Sequence, residues 1–161
     1  MKTEYTITEI DYVNAMKLFT RISSRTTILY VIALLMLGFV AVNGSPILKN
    51  AAIGGLIGGV AVIFLVRFVI NPVLSRKHYR KYKAIQEPLF IQLMDEGVQF
   101  SNFDGEGLLR WEKIHKWRQN EEYVLIYPMP RIYHIIPKTI GESGFDLGAL
   151  IKALRIVGAE A

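Results

Sequence analysis

Cysteine is absent, so a disulfide framework and a thiolate metal site are both excluded, and the lack fits a soluble part exposed to a reducing cytoplasm. Histidine is scarce. His78, His115 and His134 fall in different expected elements, none with a second ligand at the i, i+4 spacing that a helical metal site uses. None of Ser23, Ser24, Ser75, Ser101 and Ser143 stands in a G-x-S-x-G setting. The adjacent carboxylates Asp95-Glu96 and Glu121-Glu122 lie in expected turns, where water keeps both ionised and the side chains need not converge on one reacting atom. Asp104-Gly105-Glu106-Gly107 lacks the further ligands of a calcium or phosphate loop and reads as a hairpin connection. No catalytic residue, metal or cofactor emerges, and the expectation is a protein that is not an enzyme.

Positive charge is not spread evenly. Residues 1 to 85 carry 11 Lys and Arg against 3 Asp and Glu, whereas residues 86 to 161 carry 8 against 11. An acidic second half repels a phosphate backbone, so nucleic acid is not an expected partner.

What is abundant is apolar sequence between Thr26 and Ile70. Thr26 to Val42 is uncharged and spans about 26 Å as helix, near the roughly 30 Å of a bilayer core. Asn43-Gly44-Ser45-Pro46 reverses the chain, and a second apolar helix is expected from near Lys49 through Ala51 to Val66 and on to Ile70. Arg67, at the end of that run, suits the inner interface, where its long stem lets the charge reach the head groups. The first run follows a charged stretch and is followed at once by the second, unlike a cleavable signal peptide, so both are expected in the mature protein. Positive residues flank the pair at Arg21, Arg25, Arg67 and beyond, with only Lys49 between the runs, which puts both termini in the cytoplasm. Gly54 with Gly58, and Gly55 with Gly59, are small-xxx-small pairs that admit another backbone: the first helix through Gly38 and Ala41, a second copy, or a partner's membrane helix.

Arg76-Lys77-His78-Tyr79-Arg80-Lys81-Tyr82-Lys83 follows the second run. Arg76, Lys77, Arg80, Lys81 and Lys83 either set topology alone or also attract anionic lipid. Before the first run, a short strand within Thr3 to Glu9 and an amphipathic helix capped by Asp11 or Thr8 and running through Tyr12, Ala15, Met16, Phe19 and Ile22 are expected, with Glu4 to Glu9 adding to the C-terminal sheet. From Pro88 the pattern becomes short apolar alternations: Leu89 to Met94, Val98 to Phe103, Leu108 to Trp111, Ile114 to Arg118, Tyr123 to Tyr127 and Ile132 to Ile136. An amphipathic helix through Phe145 or Leu147, Leu150, Ile151 and Leu154 closes the chain, started by Ser143 or Asp146 and ended by Gly158. Trp111 and Trp117 are expected in the core or at the mouth of a barrel rather than as a ligand wall.

This order of parts, with Gly97-Val98, Trp111-x-x-Ile114, Leu125-x-Tyr127 and Ile135-Ile136-Pro137-Lys138, resembles the YcxB-like family of bacterial membrane proteins over nearly the whole chain. The resemblance implies a pleckstrin-homology-like domain, a bent antiparallel sheet plugged by a C-terminal helix, and brings no catalytic residues with it. The expected organisation is an N-terminal strand and amphipathic helix over 1–25, two transmembrane helices at about 26–46 and 49–70, a basic juxtamembrane helix over 71–87 and the soluble domain over 88–161. The expected place is the bacterial cytoplasmic (inner) membrane. The expected role is a membrane-anchored scaffold meeting a protein or anionic lipid, or else an accessory subunit of a transport or envelope-maintenance complex.

Overall fold

Thr3, Tyr5 and Ile7 turn inward while Lys2, Glu4 and Thr6 face water, and this period-two alternation makes Lys2–Tyr5 the first strand, β1. The computed structural model describes residues 2–21 and 24–158; Met1, Ile22, Ser23 and Ala161, on which sequence expectations also fell, lie outside the described residues. The chain divides into two units, Arg21–Leu74 and Met1–Thr20 with Ser75–Ala161.

In the unit Arg21–Leu74, the uncharged run forms α2 (Ser24–Asn43) and the second run forms α3 (Pro46–Leu65). α3 starts earlier than the expected Lys49, because Pro46 at its first position has φ already set for a helix and no N–H to leave orphaned. The reversal is tight. Gly44 N–H donates to the Val40 carbonyl at 2.8 Å, and a Cβ at Gly44 would lie 2.5 Å from that oxygen, so the position requires glycine. The two helices pack on each other, with Ala52 only 3% exposed, while Leu29, Phe39, Ile57 and Phe64 turn outward. Among the described residues two helices are long and apolar enough to cross a membrane, Arg25–Asn43 and Pro46–Lys81. The second contains a π-turn at Val66–Ile70, where Asn71 N–H reaches back to the Val66 carbonyl. Pro72 accounts for it: the ring offers no N–H and would collide with the carbonyl four residues earlier, so the helix widens by one residue before α4 (Asn71–Lys81).

The other unit contains two antiparallel sheets where a single bent one was expected. β1, β2 (Leu89–Met94), β3 (Gly97–Ser101) and β4 (Glu106–Arg110) form the first in that order; β5 (Lys116–Gln119), β6 (Tyr123–Met129) and β7 (Ile132–Pro137) form the second. Trp111 makes the break. Its N–H donates to the Glu96 carbonyl at 3.1 Å and its indole Nε1 to the Asp95 carbonyl at 2.9 Å, pinning a 3-10 turn, Trp111–Lys113, between β4 and β5. β3 and β4 accordingly start earlier than expected and β5 later. β6 runs past Tyr127 to Met129 through a register shift where Pro128 cannot donate to the ladder.

β6 is buried at every position from Tyr123 to Tyr127, because it is the central strand of its sheet and α1 (Glu9–Phe19) contacts all three strands from one side. α5 (Leu147–Val157) is capped by Asp146, whose carboxylate accepts from Ala149 N–H at 2.8 Å, and buries Leu150 and Leu154 completely. Trp117 is 2% exposed and donates its Nε1–H to the Gly158 carbonyl at 2.9 Å, which ties β5 to the end of α5. Trp117 is thus core. The expected basic helix over 71–87 ends at Lys81; the Gln86 amide donates to the Tyr79 carbonyl at 2.9 Å, folding Lys83–Ile85 back as a 3-10 turn ahead of Pro88.

Candidate functional site

Helix α1 begins with a reciprocal capping box: Asp11 N–H donates to the Thr8 hydroxyl at 3.1 Å, and Thr8 N–H donates to the Asp11 carboxylate at 2.9 Å. The other Asp11 oxygen accepts from the Tyr123 hydroxyl at 2.8 Å, which anchors the helix start on β6. That hydroxyl is pushed up to about 12, first by burial and then by the hydrogen bond to the Asp11 carboxylate. At the other end of α1, an Arg118 Nη donates to the carbonyls of Leu18 and Phe19 at 3.2 and 3.0 Å, satisfying acceptors that a helix end leaves open.

Held at both ends, α1 presents Glu9 and Tyr12 to the basic stretch. Arg80 donates to both Glu9 oxygens, and the Arg76 guanidinium lies 3.9 Å from the same carboxylate. The Arg80 hydrogen bond, the largest influence, holds the Glu9 carboxyl below the usual carboxylate range. Tyr12 Oη and His78 Nδ1 are hydrogen-bonded at 2.9 Å, with the two rings stacked 5.8 Å apart. The Tyr79 hydroxyl donates to the Ile7 carbonyl at 2.8 Å, and burial, ahead of the Glu9 and Asp11 charges, raises its pKa.

The five cations expected to act together are therefore divided. Arg76 and Arg80, one helical turn apart, dock α4 on α1. Lys77 and Lys81 occupy a different side of α4, and Lys83 stands beyond its end; all three are exposed. Among the described residues the side chains of Lys77 and Lys83 make no hydrogen bond or ion pair, and Lys81 Nζ lies 5.6 Å over the Tyr82 ring. Nothing in the spacing of the basic stretch points to Glu9, which lies 71 residues from Arg80.

The glycines of α3 do not act as a seat for α2. A Cβ at Gly54, Gly55, Gly58 or Gly59, or at Gly38, would meet nothing within 4 Å, and Ala52 is the small residue that goes under. Ala41 and Gly38 of α2 are half-buried.

The mouth between β3, β4 and β7 holds a cavity of about 370 Å³ lined by Leu89, Phe100, Leu108, Leu109 and His134 among others. The His134 imidazole stacks on Phe100 at 4.0 Å and 6°, and burial lowers its pKa, favouring the neutral ring. His115 is exposed on the chain leading into β5, so the three histidines stay apart, and among the described residues no three His, Asp or Glu side chains gather as a metal site would need.

Residues 93–154 match the family model described as YcxB-like protein. The YcxB-like segment runs from within β2 to within α5, less of the chain than the sequence resemblance spans, and excludes β1, α1 and the helices α2 to α4. No curated protein and no solved structure matches the chain. The quoted motif residues lie inside the YcxB-like segment and serve its architecture: a Cβ at Gly97 would lie 2.2 Å from the Leu109 carbonyl, Trp111 pins the break between sheets, and Lys138 N–H donates to the Glu122 carbonyl at 2.7 Å.

Proposed function

We propose that the chain is a non-enzymatic interaction module tethered to a bacterial cytoplasmic membrane by a hairpin of α2 and α3, with both termini and a pleckstrin-homology-like domain on the cytoplasmic side. The carrying observation is the pairing of β1 with β2: Lys2 stands opposite Gln92 and Tyr5 opposite Leu89, with the whole apolar insertion between them. A chain that leaves one sheet and returns to that sheet crosses a bilayer an even number of times. α2 and α3 supply two crossings, and the flanking Lys and Arg favour the cytoplasm for the ends. Four antiparallel strands, then three, then a C-terminal helix suit a pleckstrin-homology-like fold whose first strand precedes the hairpin. Lys77, Lys81 and Lys83, free of the Glu9 cluster, are the candidates for contact with anionic lipid.

Topology reporters test the anchor. A reporter after Ala161 is expected to be active on the cytoplasmic side and one inserted at Gly44 on the outside; a cytoplasmic Gly44 reporter overturns the hairpin.

The open faces of Gly54 with Gly58 and Gly55 with Gly59 favour a second reading, in which α3 docks on a membrane helix of a larger transport or envelope-maintenance complex. A large stoichiometric complex after mild detergent extraction supports it, and a monomer or dimer supports the free-standing module.

A further inference from the structure

β4 is the last strand of its sheet, paired with β3 alone. Its other side presents the backbone N–H and C=O groups of an open edge, a template for another strand, which proteins blunt with Lys, Pro or a bulge. Other edges carry such devices. β5 has Lys116 and Arg118, β7 ends on Pro137, and β1 lies against the 3-10 turn Lys138–Ser143. β4 has no Lys, Pro or bulge: it reads Glu-Gly-Leu-Leu-Arg, with a single charge of each sign, at its ends. By strand alternation Glu106, Leu108 and Arg110 share one face, on which Leu108 is 43% exposed.

We propose that β4 pairs antiparallel with β4 of a second copy of this chain, about a two-fold axis through Leu108. In that register Leu108 stands opposite Leu108, Gly107 opposite Leu109, and Glu106 opposite Arg110 at both ends. The register satisfies each position. Opposite charges directly across a ladder stabilise it and like charges oppose it. Within the chain neither charge is held in a close ion pair: Glu106 accepts from the neutral Gln99 amide at 3.1 Å, and the Arg110 guanidinium is 4.0 Å from Glu96. The space beside Gly107 is open, since a Cβ there meets nothing within 4 Å, so it can take the Leu109 of the other copy. A register shifted by one residue would set Glu106 against Leu109 and turn each copy's apolar face the wrong way.

The absence of cysteine gives a clean test in the full chain in its membrane. Directly opposed residues have Cα atoms about 4.5–5.5 Å apart, within the roughly 4.4–6.8 Å of a disulfide. Under mild oxidation Leu108→Cys is expected to give a disulfide-linked homodimer at least about tenfold faster than Phe103→Cys, which is 75% exposed in the neighbouring loop. Adding Glu106→Arg or Arg110→Glu to Leu108→Cys is expected to slow linkage about tenfold by setting like charges across both ends, and the double reversal is expected to restore it. The proposal is overturned if Leu108→Cys links no faster than Phe103→Cys, if it links instead to a different protein, or if the double reversal stays as slow as the single ones. Should a charge variant fail to fold, the comparison of Leu108→Cys with Phe103→Cys decides alone.

Discussion

Arg80 donates from Nε and an Nη to the two carboxylate oxygens of Glu9, at 2.8 and 3.1 Å, and so locks α4 to the first turn of α1. Because this holds the Glu9 carboxyl below its ordinary range, the stabilisation is present above the unfolded carboxylate pKa, about 4.3, and is lost as pH falls through the lower folded value. Glu9→Gln is expected to lower the unfolding midpoint at neutral pH and to flatten the acid limb of stability against pH. Denaturant unfolding in detergent from pH 7 to pH 3 measures both; identical acid limbs for the two proteins would sink the assignment.

His134 titrates in the same direction but for a different reason, burial of its ring rather than an ion pair. Its folded-state pKa is depressed by burial, so a penalty develops as pH falls through the unfolded value near 6.5 and is complete below the folded one. His134→Phe retains a ring to stack on Phe100 and removes the proton site. Its melting temperature is expected to be less sensitive to pH than that of the wild type below pH 6.5, which a thermal melt series reads directly.

Lys77, Lys81 and Lys83, replaced together by Gln, are expected to leave α4 docked on α1. In vesicles with anionic lipid at low salt, attraction should weaken by up to about fivefold per charge, an effect erased in neutral vesicles or at high salt. Protease sensitivity of the domain is the readout. Arg76→Gln with Arg80→Gln should instead loosen α4 whatever the lipid. Equal behaviour of wild type and the triple-Gln protein on anionic vesicles would reduce the lysines to topology signals.

Gly97 and Gly105 separate a packed glycine from an open one. A Cβ at Gly97 meets Leu109 backbone at 2.2 Å, whereas one at Gly105 meets nothing within 4 Å. Gly97→Ala is expected to cost about 1–3 kcal/mol or more as the β3–β4 pair is forced apart, and Gly105→Ala to change stability by less than about 0.5 kcal/mol. Equilibrium unfolding of the two variants decides.

Leu150 and Ile156 make the corresponding pair on α5. Leu150 is fully buried and Ile156 is 81% exposed, so Leu150→Ala is expected to cost about 2–5 kcal/mol and Ile156→Ala close to nothing. Similar losses at the two positions would mean that the face assigned to α5 is wrong.

Local signals made much of this fold readable. The uncharged run Thr26 to Val42, the turn at Asn43 to Pro46, the strand Leu89 to Met94 and the face Leu150, Ile151 and Leu154 each declare themselves within one short stretch of chain. What stayed hidden depends on residues far apart in the chain. Glu9 looks like any exposed first-turn acid until Arg80 is brought to it, and Tyr12 looks like a core tyrosine until His78 stacks on it. The division into two sheets turns on one indole hydrogen bond, from Trp111 to Asp95, that no alternation pattern encodes. Lys83 was grouped with the helical cations because charge runs carry no mark of where the helix stops; Gln86, reaching back to Tyr79, ends that stretch. Of the two cap candidates Thr8 takes the start of α1, so the N-terminal strand stops short of Glu9 and Lys2–Tyr5 is the part that pairs.

The position of β1 also sets an order of events during synthesis. Lys2–Tyr5 leaves the ribosome well before its hydrogen-bonding partner, Leu89–Gln92, which follows only after the whole of α1 to α4. The sheet cannot close on a nascent chain whose apolar segments are still being made, so in the proposed topology hairpin insertion would precede domain completion. In the proposed topology a chain with one span out of the bilayer would hold Tyr5 and Leu89 on opposite faces, so the core would lose Tyr5 and Ile7 and β2 would become a bare sheet edge open to proteases and to mispairing. In the proposed topology, closure of this first strand would therefore report that both spans are in place.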